Sequence, residues 1–545
     1  MAKSREFRDL SRRDLLKLVG AVGTLAAAGA SSVDAQTPKR GGVLRLAGFD
    51  PPHFDPQLTP HWWTFINLSF THSRLVKVKA GPSVLPGTLP IEPDLAESWS
   101  RPDDTTWVFK LRKGVRWHNK PPVNGRELTA DDVKYTYERA MTVKGNPNRA
   151  WVDEIDRVET VDRYTVRFTT KGPYAWFLEV SAQLEILPRE AGERFGDFKK
   201  PESVIGTGPW MLERYEPNVR VVFVRNPQYF VPGLPYADGV DMTIDPDPAS
   251  RFAAWVSGRY DFGPELGTVI RRIELDQAKR RRPNLQTVEF IWPVSTFAIV
   301  KLDEDPFKDV RVRRAMAMAG NPLEMAEANP FALGHAAVNP AVPAALREWS
   351  IPIDQLPPEG RRLYEHSPKE AKALLAEAGY PSGFKMPVES TASWGPDVVD
   401  LVQIMLRNWK NVGIESDLKL KEGGAFIASV LGRKFEKVAI TLRGGATSPD
   451  PYLVGAHLPG QPQNVAGVND PKLTDMIKLQ RRTFDVAKRR EIVYDIQRYL
   501  SQQVYYLYTS PSAKVVGAWE PYVKNYMPNI GNDYGGRMMA AWLDR

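Results

Sequence analysis

The sequence contains no cysteine. That removes disulfides, thiolate metal sites, thiol nucleophiles and a lipidated N-terminal cysteine. Histidine is scarce, with seven in 545 residues and no two standing three to five positions apart. A compact histidine metal site therefore finds no support, and no cofactor is implied. Past the N-terminal segment there is no run of about eighteen consecutive apolar residues, so the mature chain carries no membrane-spanning helix. Charge excess is missing too: a formal net +8 is thin over this length and does not by itself imply nucleic acid. No P-loop, Gly-x-Ser-x-Gly or His-Glu-x-x-His motif occurs. Ile205 to Trp210 (IGTGPW) has two glycines, but Pro209 removes an amide and no third glycine follows, which predicts a tight turn and not a phosphate loop. Asp245-Pro246-Asp247-Pro248 places two carboxylates together, yet the alternating prolines predict a rigid turn more than an acid/base pair or a calcium site. Nothing here argues for an enzyme.

What is present is a long, folded-type chain with an address at its front. At 42% hydrophobic and 25% charged residues the composition is that of a globular protein. The length exceeds the roughly 250–300 residues that one core can fill. Ser11 to Lys17 (SRRDLLK) carries twin arginines, followed by an Ala/Gly-rich run from Leu18 to Ala30 and the small residues Val33-Asp34-Ala35. This reads as a twin-arginine export signal over residues 1–35, cleaved after Ala35, which implies the twin-arginine translocase as a partner during export. Without a cysteine at the cleavage point, a soluble periplasmic protein with no lipid anchor is expected.

From Gly42 onward short strands alternate with helices. Thr106–Arg112 alternates so that Trp107, Phe109 and Leu111 share one face. Tyr164–Thr169, Arg220–Arg225 and Glu436–Leu442 are further strand candidates. Ser367-Pro368-Lys369-Glu370 predicts a capping box that opens a helix closed by Gly379. Pro396 to Val412 places Val398, Val402, Met405, Leu406 and Trp409 on one stripe before Gly413. Val486 to Gln503 is a third helix, and Ala130 to Met141, capped by Thr129 with Asp132, a fourth. The 46 prolines are scattered through loops, so composition marks no linker.

Trp107 to Asn119 (WVFKLRKGVRWHN) is basic and aromatic enough to suggest a nucleic-acid strip, but its neighbours decide otherwise. With PDLAESW (Pro93 to Trp99) before it and LTADDVKYTYERAM (Leu128 to Met141) after it, the block resembles the signature of family 5 extracellular solute-binding proteins. The likeness continues in order through VIGTGPW, VRNPQYF (Val224 to Phe230), SGRYD (Ser257 to Asp261) and PFKDVRVRRAM (Pro306 to Met316). It ends with LLAEAGYPSGF (Leu374 to Phe384) and NDPKLTDMI (Asn469 to Ile477). These are receptors for oligopeptides, dipeptides, nickel chelates and related solutes that serve ABC importers, so the block becomes scaffold.

The resemblance implies an α/β, periplasmic binding protein-like, two-jawed clamp of type II with an extra inserted lobe, three lobes in all. A first jaw would combine residues 36–78, 202–295 and 508–545, the inserted lobe would be 79–201, and the second jaw 296–507. The implied partners are a peptide or small-molecule ligand and a permease–ATPase complex, with the receptor itself a monomer and no nucleic acid. Ligand closes the jaws by contacting both, a population shift.

Site residues follow from the same resemblance. In oligopeptide-binding members an aspartate three residues before an acidic-Pro pair holds the peptide ammonium; here the pair is Asp450-Pro451 and the matching position is Thr447. A neutral hydroxyl cannot balance a buried ammonium. Tryptophans of those members fall at Gly444 and Gly423, and a carboxylate-binding arginine at Thr441. Arg443, two residues on and on the same strand face, could replace that arginine as an anion partner, or be a solvated surface residue. Asp50 matches an acidic ligand contact or serves a turn. Trp292 and Phe297 replace cleft tyrosines, or pack the core; Trp394 precedes a helix as a weaker candidate. The expected solute is peptide-type by family. The alternatives are a non-peptide ligand with an apolar or flat surface and one anionic group, such as an opine, sugar or aromatic acid, or a sensor or chaperone that presents its ligand elsewhere.

Overall fold

A computed structural model describes residues 37–264, 266, 269–329, 331, 341–444, 447–508 and 512–545. The export signal read at residues 1–35 lies outside the described residues. Sequence alternation becomes sheet as expected at the basic-aromatic block: Trp107, Phe109 and Leu111 are buried, while Lys110 stands in solvent.

The chain lays down β1 (Val43–Gly48) and α1 (Trp62–Thr71). It then builds an antiparallel sheet from β2 (Ala96–Ser100), β3 (Thr106–Leu111), β4 (Ile155–Asp162) and β5 (Thr165–Thr170), in the order β2-β3-β5-β4. Helix α2 (Ala130–Thr142) packs on β4 and β5. Its start is fixed by Asp132, whose Oδ2 accepts the Thr129 amide at 2.9 Å. Next β6 (Trp210–Glu216), β7 (Arg220–Arg225) and β8 (Gly239–Ile244) return to the first strand in the order β1-β8-β7-β6. β1 pairs parallel with β8. Helix α3 (Pro248–Val256) follows.

Strand β9 (Gln286–Ile291) leads through residues 292–294 into β10 (Ser295–Val300). The latter joins β11 (Phe384–Thr391), β12 (Ile414–Lys421), β13 (Val438–Arg443) and β14 (Tyr506–Leu507) in a five-stranded sheet, ordered β12-β11-β13-β10-β14. Helices α4 (Pro368–Glu377), α5 (Pro396–Lys410), α6 (Pro449–His457), α7 (Pro471–Arg482) and α8 (Val486–Gln503) lie within the same stretch of chain. Strand β15 (Lys514–Trp519) then pairs antiparallel with β9, and α9 (Tyr534–Met538) returns to pack on α1. The chain therefore passes twice between the β9–β15 ribbon and the five-stranded sheet, side by side; the Trp292 amide donates to the Ala513 carbonyl at 2.9 Å.

Each large sheet has its own core. On α5, Val402, Met405 and Trp409 are at most 1% exposed, and each such burial stabilises by roughly 1.5–3 kcal/mol. The stripe read there holds for Leu406 as well, while Val398 is half-buried. Gly379 and Gly413 lie at φ +93 and +94, where they end their helices as read. The capping box expected at Ser367 is not formed: its side chain makes no cap hydrogen bond, and its amide donates to the Met318 carbonyl at 2.9 Å. Pro368 at the first helical position, with no amide to satisfy, starts α4 without it.

The IGTGPW turn is buried, and its polar groups are consumed by the fold. Gly208 N donates to Thr71 O, His118 N donates to Gly206 O, and Asn226 Nδ2 donates to Gly208 O, at 2.8, 2.8 and 2.9 Å. A Cβ at Gly206 would sit 1.8 Å from the Thr71 carbonyl oxygen, so close backbone approach explains the glycine. At Asp245–Pro248, Asp247 Oδ1 accepts the Ser250 amide at 2.6 Å as the cap of α3.

Candidate functional site

Thr447 follows β13 and lines a small cavity, open to solvent, together with Gln183, Arg74, Glu185, Asp533 and Arg537. Its hydroxyl accepts a hydrogen bond from Gln183 Nε2 at 2.6 Å. On another side stands Gly531, at φ +87, where a Cβ would lie 2.8 Å from Thr447 Cγ2. Glycine is required there both by conformation and by space. The cavity thus gathers chain segments around residues 65–80, 182–185, 447 and 529–537, hundreds of positions apart.

Its floor is charged. Arg74, Glu185 and Arg537 are 4%, 2% and 4% exposed. Arg74 Nη2 donates to Glu185 Oε1 at 2.7 Å, and Nη1 lies 3.4 Å from Asp533 Oδ1. Burial pushes the Glu185 carboxyl above its ordinary range, with the Arg74 charge pulling it back. Arg537 lies 4.5 Å over the Tyr534 ring and donates through Nη2 to the carbonyls of Ile530 and Gly531. Of the residues around this cavity, the sequence singled out Thr447 and none of the three charged ones. Arg74, Glu185 and Arg537 sit in unremarkable local contexts, and only the fold brings them together.

Arg443 forms a second cluster. In the β10–β13 register it faces Ser295, and Thr441 faces Phe297. The guanidinium lies 5.1–6.0 Å from the rings of Tyr452, Tyr506, Tyr508 and Phe297. It donates to the Tyr508 hydroxyl and the Tyr452 carbonyl, so it is a half-buried cation in an aromatic box. Phe297 is 6% exposed and stacks on Tyr508 at 5.8 Å. Trp292 is half-buried, 5.6 Å from the Trp62 ring. The structure therefore brings Phe297 and Arg443 together, with Trp292 at the adjacent chain crossing.

Asp50 and Trp394 are placed elsewhere. Asp50 Oδ1 accepts the Tyr215 hydroxyl at 2.8 Å and Oδ2 the Asn218 amide at 2.9 Å, so both oxygens tie down the β6–β7 turn. Trp394 is half-buried and makes an edge contact with Phe426 at 5.5 Å. Neither lines the Thr447 cavity.

One more network joins distant segments. Arg481 on α7 is 2% exposed and meets three carboxylates: Glu154 at 2.7 Å, Asp153 at 3.1 Å and Asp450 at 3.2 Å. Gln480 Nε2 donates to Asp450 Oδ1 at 2.6 Å, and Trp176 Nε1 donates to Gln480 Oε1 at 2.5 Å. Arg489 donates to the Ala175 carbonyl at 2.9 Å, and the Trp176 and Trp349 rings meet at 4.7 Å. Burial pushes the Asp450 carboxyl up, and the Arg481 charge pulls it down.

A discontinuous α/β frame with several sheets is the fold of the periplasmic binding proteins. Residues 90–463 match the family described as bacterial extracellular solute-binding proteins, family 5 Middle, and the chain belongs to that family. It is 26% identical over 525 residues to the dipeptide-binding protein of Escherichia coli K12, covering 91% of this chain and 92% of that one. Among solved structures it is similar to the periplasmic binding protein DppA of Helicobacter pylori in complex with the peptide STSA. That likeness has a TM-score of 0.79 and 24% identity, over 93% of this chain and 99% of that one. It is also similar to AgaA of Agrobacterium tumefaciens R10 in complex with agropinic acid, with a TM-score of 0.78 and 21% identity, over 92% and 99% of the two chains.

Proposed function

We propose that this protein is the solute-capturing receptor of an ABC importer, binding its ligand unchanged between two jaws and presenting it to a membrane permease and its ATPase. The first jaw would hold residues 36–78, 202–295 and 508–545, with 79–201 as a lobe lying on it; the second jaw would hold 296–507. The observation that carries the reading is the meeting of Thr447 with Gln183 and Gly531 around one cavity, because the three residues come from three different lobes of that division. The two adjacent, antiparallel crossings at residues 292–294 and 512–513 are the hinge in this reading. SRRDLLK supports twin-arginine export to the periplasm, where the receptor acts as a monomer.

A peptide-type solute is the reading supported by the E. coli dipeptide-binding relative and by the H. pylori neighbour in complex with STSA. A second reading rests on Thr447 itself. A neutral hydroxyl already engaged by Gln183 offers no counter-charge to a free α-ammonium, which favours a solute without one; the AgaA neighbour holds agropinic acid, a non-peptide. Thermal unfolding and small-angle scattering against di- and tripeptides, their N-acetylated forms, opines, sugars and aromatic acids test both. A compound that raises Tm and shrinks the particle is expected, and strong stabilisation by free dipeptides settles for the first reading. Identical scattering across the panel, with an added compound chemically converted, would overturn the receptor.

A further inference from the structure

We infer that the Thr447 cavity is built to take an oxyanion of the solute, with Arg537 as its principal anchor. This deepens, and rests on, the receptor reading above. The lining holds three cationic side chains, Arg74, Lys79 and Arg537, against two carboxylates, Glu185 and Asp533. Glu185 and Asp533 are both paired with Arg74. Lys79 is exposed at the rim. Arg537 is buried, and among the described residues its charge has no carboxylate within ion-pair distance; its contacts are two backbone carbonyls and the face of Tyr534.

A second observation is independent of charge. Among the described residues Arg537 Nη1, Arg74 Nε and Glu185 Oε2 are buried atoms without a hydrogen-bond partner, and all three belong to side chains that line the same cavity. A buried donor left unmade is costly, so such atoms in one place point to a ligand or to water. Water satisfies a donor but supplies no counter-charge to the buried Arg537 cation. An oxyanion does both. Its oxygens match the guanidinium fork, while the open Glu185 oxygen accepts from a hydroxyl or amine next to it on the same molecule. The class assigned is thus a carboxylate or phosphoryl group flanked by a hydrogen-bond donor.

Thermal-shift titration of the intact mature protein with malate and gluconate, against malamide and sorbitol, tests this without any variant; inorganic phosphate forms a separate arm. At about 10 mM the anions raise Tm and the neutral counterparts do not. A shift with phosphate alone assigns a phosphoryl group, and a shift with the acids alone a carboxylate. Arg537→Met is expected to weaken the effective anion at least about tenfold. Lys79→Met, whose side chain is at the rim and holds no part of the fold, lowers it about two- to threefold. Equal shifts from acids and neutral counterparts, no shift with any anion, or a folded Arg537→Met that keeps the full shift, overturns the subsite. Mass spectrometry of solute released by denaturation separates the two readings: a neutral cargo sinks the oxyanion subsite alone, whereas an empty protein inert to the whole panel sinks the receptor.

Discussion

Replacing Arg481 with methionine keeps its length and removes its charge. Asp450, 2% exposed, would then be left with the Gln480 amide at 2.6 Å and the Tyr174 hydroxyl at 3.4 Å as partners. Stranding a buried carboxylate costs about 3–5 kcal/mol. The pairs to Asp153 and Glu154, whose side chains are 21% and 26% exposed, add about 0–1 kcal/mol each. Loss of the guanidinium over the Tyr174 ring, 4.7 Å away, adds about 1 kcal/mol. With an unfolding entropy of about 2 cal/mol/K per residue over about 500 residues, a deficit of this size lowers Tm by about 4–8 °C. The sign with pH is fixed. Without Arg481 the folded-state pKa of Asp450 rises further above its unfolded value, so the folded form binds the proton more tightly. The penalty is full at neutral pH and shrinks as pH falls through that raised pKa. Urea melts of wild type and variant followed by tryptophan fluorescence at pH 8, 7, 6 and 5 give the difference directly. Adding Asp450→Asn to Arg481→Met should recover most of the loss. A deficit that stays constant or grows in acid, or a double variant no better than the single one, refutes the reasoning.

Thr447→Asp places a carboxylate where the hydroxyl now meets Gln183; it should confer stabilisation by free dipeptides at millimolar concentration, visible as a Tm rise that N-acetylated dipeptides do not produce. Arg443→Lys loses the fork that reaches the Tyr508 hydroxyl and the Tyr452 carbonyl, and should cost about 1–3 kcal/mol in urea melts. Gly206→Ala drives a methyl into the Thr71 carbonyl and should leave little soluble protein on expression, since backbone on both sides must move. His72, His118 and His457 are buried, and desolvation lowers each to about 3 from 6.5. The unfolded chain therefore binds more protons between those values. The stability these rings contribute is complete above 6.5 and is lost as pH falls, at up to about 4 kcal/mol per pH unit for the three together, as urea midpoints at pH 7, 6 and 5 would show.

Local signals in the sequence placed a handful of strands and helices. β3, β7 and α8 stand where alternation and helical periodicity put them, to within one residue, because their patterns are set by which face is buried. Ser367 shows the limit of a local rule: the right residues at the right spacing, with the side chain making no cap. The family was legible because many short motifs occur in a fixed order. Legibility of the site was partial for a physical reason. Thr447 was reached through its distance from Asp450-Pro451, whereas Arg74 meets Glu185 across 111 positions and Asp533 across more than four hundred. No periodicity links residues so far apart; the contact with Asp533 exists only once α9 has returned to pack on α1. Asp50 illustrates the converse, a motif residue whose two oxygens turn out to be spent on a turn.

The partnership of β1 with β8 has a consequence for biogenesis. Val43 leaves the ribosome 196 residues before Gly239, its partner in the ladder, and the cluster that seals this sheet also draws on Trp519, Tyr534 and Leu543. The earliest strand made must therefore wait unpaired until Gly239 emerges, and the apolar cluster around it closes only when translation is all but finished. Synthesis from the front thus cannot complete this region piecemeal, and a nascent chain stalled before residue 519 should remain a client for holdase chaperones.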